Sequence, residues 1–177
     1  MATPAISWAT SPWCVDRSGT RNYIRPMAYG TEDDAFVQAL RNVLVNGDLS
    51  TAPDMLRHYG HDETEDLQFP PEVVVRPRST EEVAAIVALC SKHRIPITPI
   101  GGRTGLSGGA LCVHGGVGLA LDRMDRIEKI DEHNQQVTVQ PGVITQVLMD
   151  AVAEKGLYYA PDPSSKGSCT IGGNLAE

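Results

Sequence analysis

Apolar residues recur along this chain at two spacings, and the switches between them mark its elements. Phe36, Leu40, Val43 and Leu44 follow a 3.6-residue period, which predicts an amphipathic helix from about Thr31 to Asn46. Thr31 offers the N-cap, Glu32, Asp33 and Asp34 suit the positive helix end, and Gly47 is the expected stop. Residues 48–71 keep no period and read as a loop-rich connection. Val73, Val74 and Val75 form a short β-branched strand closed by Arg76-Pro77. Ser79 to Glu82 is written as a capping box, with Ser79 taking the N–H of Glu82 and the Glu82 carboxylate reaching back. The helix behind it carries Val83, Ile86, Val87 and Cys90 as one stripe and stops before Pro96. Ile97 to Ile100 is the next strand.

Three further strands, 117–121, 127–131 and 136–140, alternate in a way that suits a meander. Pro141-Gly142 is a turn. A last helix runs to about Lys155, with Ile144, Leu148, Ala151 and Val152 inward and Gly156 at C′. Residues 1–30, with isolated Trp8 and Trp13, show no period and read as an extended arm.

Between two of the strands lies the run from Pro99 to Gly109, PIGGRTGLSGG. Glycine lets a ligand approach main-chain N–H groups with no Cβ in the way, and successive N–H groups form a concave anion site. Arg103 and Thr104 add a charged and a hydroxyl donor. The run lacks the lysine of a P-loop, and no G-x-G-x-x-G opens a helix. A second stretch, Pro161 to Asn174, again mixes glycines with hydroxyl donors, and two such loops are able to converge on one extended ligand.

Composition narrows the classes. With 41% hydrophobic and 21% charged residues the chain has the balance of a soluble globular protein. A net charge of −7 argues against nucleic acid or an anionic membrane surface as main partner, so an anionic ligand needs a local site. Only 5% of residues are aromatic, too few for a base-stacking platform. Cys14, Cys90, Cys112 and Cys169 show no C-x-x-C pairing, which speaks against a disulfide framework or structural zinc and suits a cytoplasmic location. No apolar run is long enough to span a bilayer, and no signal peptide is visible. His58 and His61 beside Asp62 read as a solvated loop rather than metal ligands, His114 as a turn residue, and Lys166 as pointing to water.

Taken together, residues 99–110, the Pro141-Gly142 pair and Thr170-Ile-Gly-Gly-Asn174 resemble the FAD-binding domain of the vanillyl-alcohol-oxidase (PCMH) type. They are most similar to the branch of the glycolate oxidase flavoprotein subunit, D-lactate dehydrogenase and D-2-hydroxyglutarate dehydrogenase. Tyr59-Gly-His-Asp62 ahead of Pro71 to Pro77 adds to the likeness, which covers about 55–177. It implies an α+β fold, the N-terminal subdomain of a PCMH-type domain, in which a small parallel βαβ sheet joins an antiparallel one with flanking helices. The expected division is an arm over 1–30, a helix and loop lead-in over 31–70 and an incomplete FAD-binding domain over 71–177.

The resemblance implies noncovalent FAD, since no histidine stands between Pro99 and Ala110. Gly101, Gly102, Arg103, Thr104 and Gly105 would cradle the diphosphate, with Gly109 and Ala110 continuing that contact. Pro141 would pack on the adenosine side. Asp162, Ser168, Cys169, Ile171, Gly172 and Asn174 would line the flavin and ribityl side, and Pro99, Leu106, Gly142 and Gly173 complete the set. It further implies oxidation of a small D-2-hydroxy acid by hydride transfer to the flavin, then electron transfer to a quinone or carrier. Peripheral membrane association and oligomeric state stay open. No residue here is implied as catalytic or metal-binding: those positions are expected beyond Glu177, so the chain reads as an N-terminal piece that ends inside a sheet, leaves an edge unpaired and binds FAD poorly alone. Two alternatives remain, an FAD/NADPH reductase of the same fold and an inactive fragment keeping part of a nucleotide site.

Overall fold

The computed structural model describes residues 33–64 and 67–176. The N-terminal arm with Trp8, Trp13 and Cys14, and the expected cap Thr31, lie outside them. Helix α1 (Asp34–Val43) is capped instead by Asp33, whose carboxylate accepts the N–H of Phe36 at 2.7 Å. It stops three residues before Asn46 because Leu44 is already extended.

The stretch expected as loop holds two elements, strand β1 (Asp48–Ser50) and helix α2 (Pro53–His58). Both are too short to display a period. β1 exists because it pairs antiparallel with β2 (Val73–Arg76). Helix α3 (Thr80–His93) follows, then β3 (Ile97–Ile100) and β4 (Val117–Ala120). β4 lies between β2 and β3, parallel to both, so the first sheet has the order β1-β2-β4-β3. This corrects the expected meander. All four residues of β4 are buried, the signature of an inner strand covered on both faces. Only β5 (Ile127–Asp131) and β6 (Gln136–Val139) form an antiparallel hairpin of their own.

One face of the sheet packs Val73, Val75, Val117 and Leu119 against Phe36 and Leu40 of α1 and Ile86 and Cys90 of α3. The lead-in is therefore part of the same core. Val87, expected inward, is 43% exposed, and Leu89 packs against that core instead. The other face holds Val74, Ile100 and Ala120 with Tyr59 and Cys112. A separate core joins the hairpin to α4 (Thr145–Ala153) through Val143, Leu148, Val152 and Ile171. Ile144, expected inward, is half-exposed at the cap of α4. That helix ends as expected around Gly156 (φ +70), with Leu157 N–H on Val152 O and Gly156 N–H on Ala153 O. The final residues form helix α5 (Ile171–Ala176) where a strand was expected, so no sheet edge lies there.

The capping box is half correct. Ser79 Oγ accepts the N–H of Glu82 at 3.2 Å, but Glu82 does not return to Ser79. Its buried carboxylate accepts from the N–H groups of Asn46, Gly47 and Arg78, fastening the end of the lead-in to α3.

Candidate functional site

β3 ends at Ile100 beside the C-terminal end of β4, and the chain leaves the sheet through Gly101 to Gly105. A ligand crevice is expected outside the carboxyl ends of parallel strands. The cavity found there is about 580 Å³, in the range of small-molecule sites. Its first wall is Pro99, Gly101, Gly102, Arg103, Thr104 and Gly105, with Gly109 and Ala110 further along the loop. Its second wall comes from beyond the hairpin: Pro141, then Cys169, Gly172, Gly173 and Asn174. The structure thus brings the two glycine-bearing stretches to one crevice.

The first loop is laid out for an anion. Among the described residues, none of the N–H groups from Gly101 to Gly105 donates a hydrogen bond within the protein. Five consecutive donors without protein partners on the wall of one crevice are available to acceptor oxygens of a ligand. The loops meet at Gly102, where a Cβ would stand 2.5 Å from Ser168 O and 3.1 Å from Cys169 Cα. Gly109 and Gly173 present bare backbone, with nothing within 4 Å of where a Cβ would be.

Arg103 departs from the sequence reading. Its guanidinium turns out of the crevice, bonding His58 O and lying 3.0 Å from His58 Nε2, 5.3 Å from the Tyr59 ring centre. The residue is left-handed (φ 56), and its side chain ties the loop to the end of α2. Burial, then the Arg103 charge, lowers the His58 pKa. Behind this lies a second polar group, with Tyr59 Oη donating to Asp122 at 3.0 Å and Arg76 pairing with it at 2.6 Å. Burial raises the carboxyl pKa of Asp122, but the Arg76 hydrogen bond and charge outweigh it and hold it below the usual range. Burial and the neighbouring carboxylate push the Tyr59 phenol up.

On the second wall, Thr145 is fully buried, 3.2 Å from Cys169 Sγ and 3.3 Å from Cys169 O. Asn174 Nδ2 donates to Thr145 Oγ1 at 2.6 Å, which locks α5 onto the start of α4.

Five expected site residues lie off the wall. Leu106 is 76% exposed, and Ile171 is buried in the second core. Gly142 sits in its turn with its N–H on Met124 O. Asp162 is drawn into an i, i+4 ion pair with Lys166 at 2.8 Å, which also corrects the reading of Lys166 as simply solvated. Ser168 bonds back to Ser165 O. Seven others line the cavity unannounced: Ile100, Leu121, Pro163, Ser165, Thr170, Ala176 and, most unexpectedly, Asp62. His58 and His61 are exposed, but Asp62, read as part of the same solvated loop, is buried.

A family model described as FAD binding domain matches residues 71–177. The chain is 48% identical over 119 residues to glycolate oxidase subunit GlcD of Bacillus subtilis (strain 168), covering 67% of this chain and 25% of that protein. It is 38% identical over 143 residues to D-2-hydroxyglutarate dehydrogenase of Stutzerimonas stutzeri (strain A1501), covering 81% of this chain and 31% of that one. The chain thus spans about a quarter to a third of the length of these curated relatives. Among solved structures it resembles an alkyldihydroxyacetonephosphate synthase in fold, with a TM-score of 0.74 at 22% identity over 85% of this chain and 30% of that one.

Proposed function

Since this chain belongs to the family of FAD binding domains, we propose that the crevice between its two loops holds FAD in a protein that oxidises a D-2-hydroxy acid. The observation that carries this reading is the row of N–H groups from Gly101 to Gly105, without a partner within the described structure, on residues that line a cavity of about 580 Å³. A diphosphate offers only acceptors and matches such a row. Bare backbone at Gly109 and Gly173 lets the rest of an extended ligand lie close to the chain. These residues fit the cofactor.

When bound, FAD supplies a hydride acceptor; the chain's own part is binding and orientation. The first loop would grip the diphosphate through main-chain N–H groups, while Arg103 fixes the loop from outside. Cys169, Gly172, Gly173 and Asn174 would border the other part of the ligand, and the buried Thr145–Asn174 contact keeps that wall in place. The attachment proposed is noncovalent, since the first loop carries no histidine between Pro99 and Ala110. The substrate class rests on relatives that carry the names glycolate oxidase and D-2-hydroxyglutarate dehydrogenase. The electron acceptor proposed is a quinone or an electron carrier, in the cytoplasm or at a membrane face. Among the described residues no helix is long and apolar enough to cross a membrane.

Anaerobic titration of the intact protein tests the activity. Bleaching of flavin absorbance by D-lactate, glycolate or D-2-hydroxyglutarate, but not by NADPH, is the expected result. Bleaching by NADPH alone would move the protein to the reductase class. Acid precipitation should leave the flavin in the supernatant, as noncovalent binding requires.

A further inference from the structure

We propose that Asp62 is a further binding residue of this crevice, a buried carboxylate that accepts a hydrogen bond from a hydroxyl or N–H donor of the dinucleotide. The inference rests on the FAD reading above. Asp62 lines the cavity yet is only 7% exposed. Its Oδ1 accepts the N–H of Thr64 at 2.9 Å, whereas Oδ2 is enclosed and has no hydrogen-bond partner among the described residues. Thr64 Oγ1, in the same turn, is enclosed and unpartnered as well. Enclosed polar atoms without partners are scarce in folded proteins because desolvation goes uncompensated. Two in one turn beside a cavity point to a ligand that completes them.

The turn is not free to move away. Glu63 N–H donates to Gly105 O at 3.2 Å, fastening it to the end of the first loop, and Phe69 N–H donates to Gly60 O at 2.7 Å. The nearest loop cation does not answer the charge, because Arg103 is committed to His58 and Tyr59.

The chemistry selects which part of the ligand faces Asp62. An ionised carboxylate only accepts, and so does a diphosphate, so the two repel. The donors of the dinucleotide are its sugar and ribityl hydroxyls and its ring N–H groups. The crevice therefore sorts the ligand along its length: phosphate oxygens against the N–H row, a donor-bearing part against Asp62.

The test compares the intact wild-type protein with Asp62→Asn and Asp62→Ala. FAD affinity is read by quenching of flavin fluorescence, and thermal unfolding is read on protein stripped of flavin. Asp62→Ala should weaken FAD binding about tenfold, equivalent to about 1.4 kcal/mol. Asp62→Asn should weaken it less, without lowering the unfolding temperature of the stripped protein, because the amide keeps an oxygen to accept the Thr64 N–H. A loss that appears with riboflavin or with ADP as probe supports the proposal and tells which half carries the donor. Equal FAD affinity in all three proteins overturns the proposal and leaves the FAD reading intact. A wild-type protein that binds no FAD overturns both. A stripped Asp62→Asn protein that unfolds earlier, with affinity falling in parallel, makes Asp62 a structural residue and also overturns it.

Discussion

At Gly102 the backbone of the first loop lies against Ser168 O of the second so closely that even a methyl group has no room. Gly102→Ala must push the loops apart. It should cost about 1–3 kcal/mol in stability and weaken FAD binding, readable by urea unfolding and flavin titration of the same protein. Arg94 poses the opposite case. It closes α3 in the left-handed region (φ 56), with Ile95 N–H on Cys90 O and its own N–H on Ser91 O. That is a position where glycine is unstrained, so Arg94→Gly should stabilise the protein by about 0.5–1 kcal/mol, checked by the same unfolding curve. Arg103 shares this conformation, but its side chain ties the loop to α2. Glycine there would trade strain for a lost anchor. Residue type announced the glycines of the crevice; it could not announce that Arg103 turns outward, since that depends on where α2 ends.

Between elements, the joint at Glu82 carries the most testable consequence. Burial raises its carboxyl pKa, but N–H donors from Asn46, Arg78 and Gly47 outweigh burial and hold it below its ordinary value of 4.5. A group depressed in the folded state contributes stability that is present above its unfolded pKa and lost as pH falls through the folded value. Stability should therefore drop as pH falls below 4.5, and Glu82→Gln, which sets an NH2 against one of those donors, should flatten that part of the profile. Glu82→Ala should cost about 2–3 kcal/mol at neutral pH. Calorimetry across the acid range reads both.

At this scale the sequence was informative wherever a period had room to develop. α3, α4, β2, β3, β5 and β6 lie close to where apolar spacing set them. The failures share a cause in tertiary partners. β1 is three residues held by β2, α2 is six residues opened by Pro53, and α5 is a six-residue helix written with two glycines. β4 looked like a meander strand because alternation says nothing about which neighbour a strand will choose. Both crevice loops were legible from glycine spacing and resemblance. Asp62 was not, because a carboxylate flanked by His61 and Glu63 looks hydrated until the chain folds its turn onto Gly105. A signal was present all the same: Tyr59 just before it is aromatic, and an aromatic anchor draws a short polar segment inward.

Across the whole molecule, two separately cored parts meet along the crevice, one built on the four-stranded sheet and one on the hairpin with α4 and α5. The walls come one from each, with Pro141-Gly142 leading from the hairpin into the second part. Stripped protein should unfold over a broader calorimetric transition than FAD-loaded protein, since a ligand touching both parts couples them. Leu106 and Leu175, beside wall residues, are 76% and 77% exposed.

A grip shared between two bodies has a kinetic meaning beyond affinity. A ligand held by both walls loses half of its contacts whenever the seam widens, so its residence time should follow how often the seam gapes as well as the strength of any single contact. Substitutions that loosen the junction from the Ser168 side would then speed exchange of the cofactor, although Ser168 lies off the cavity wall.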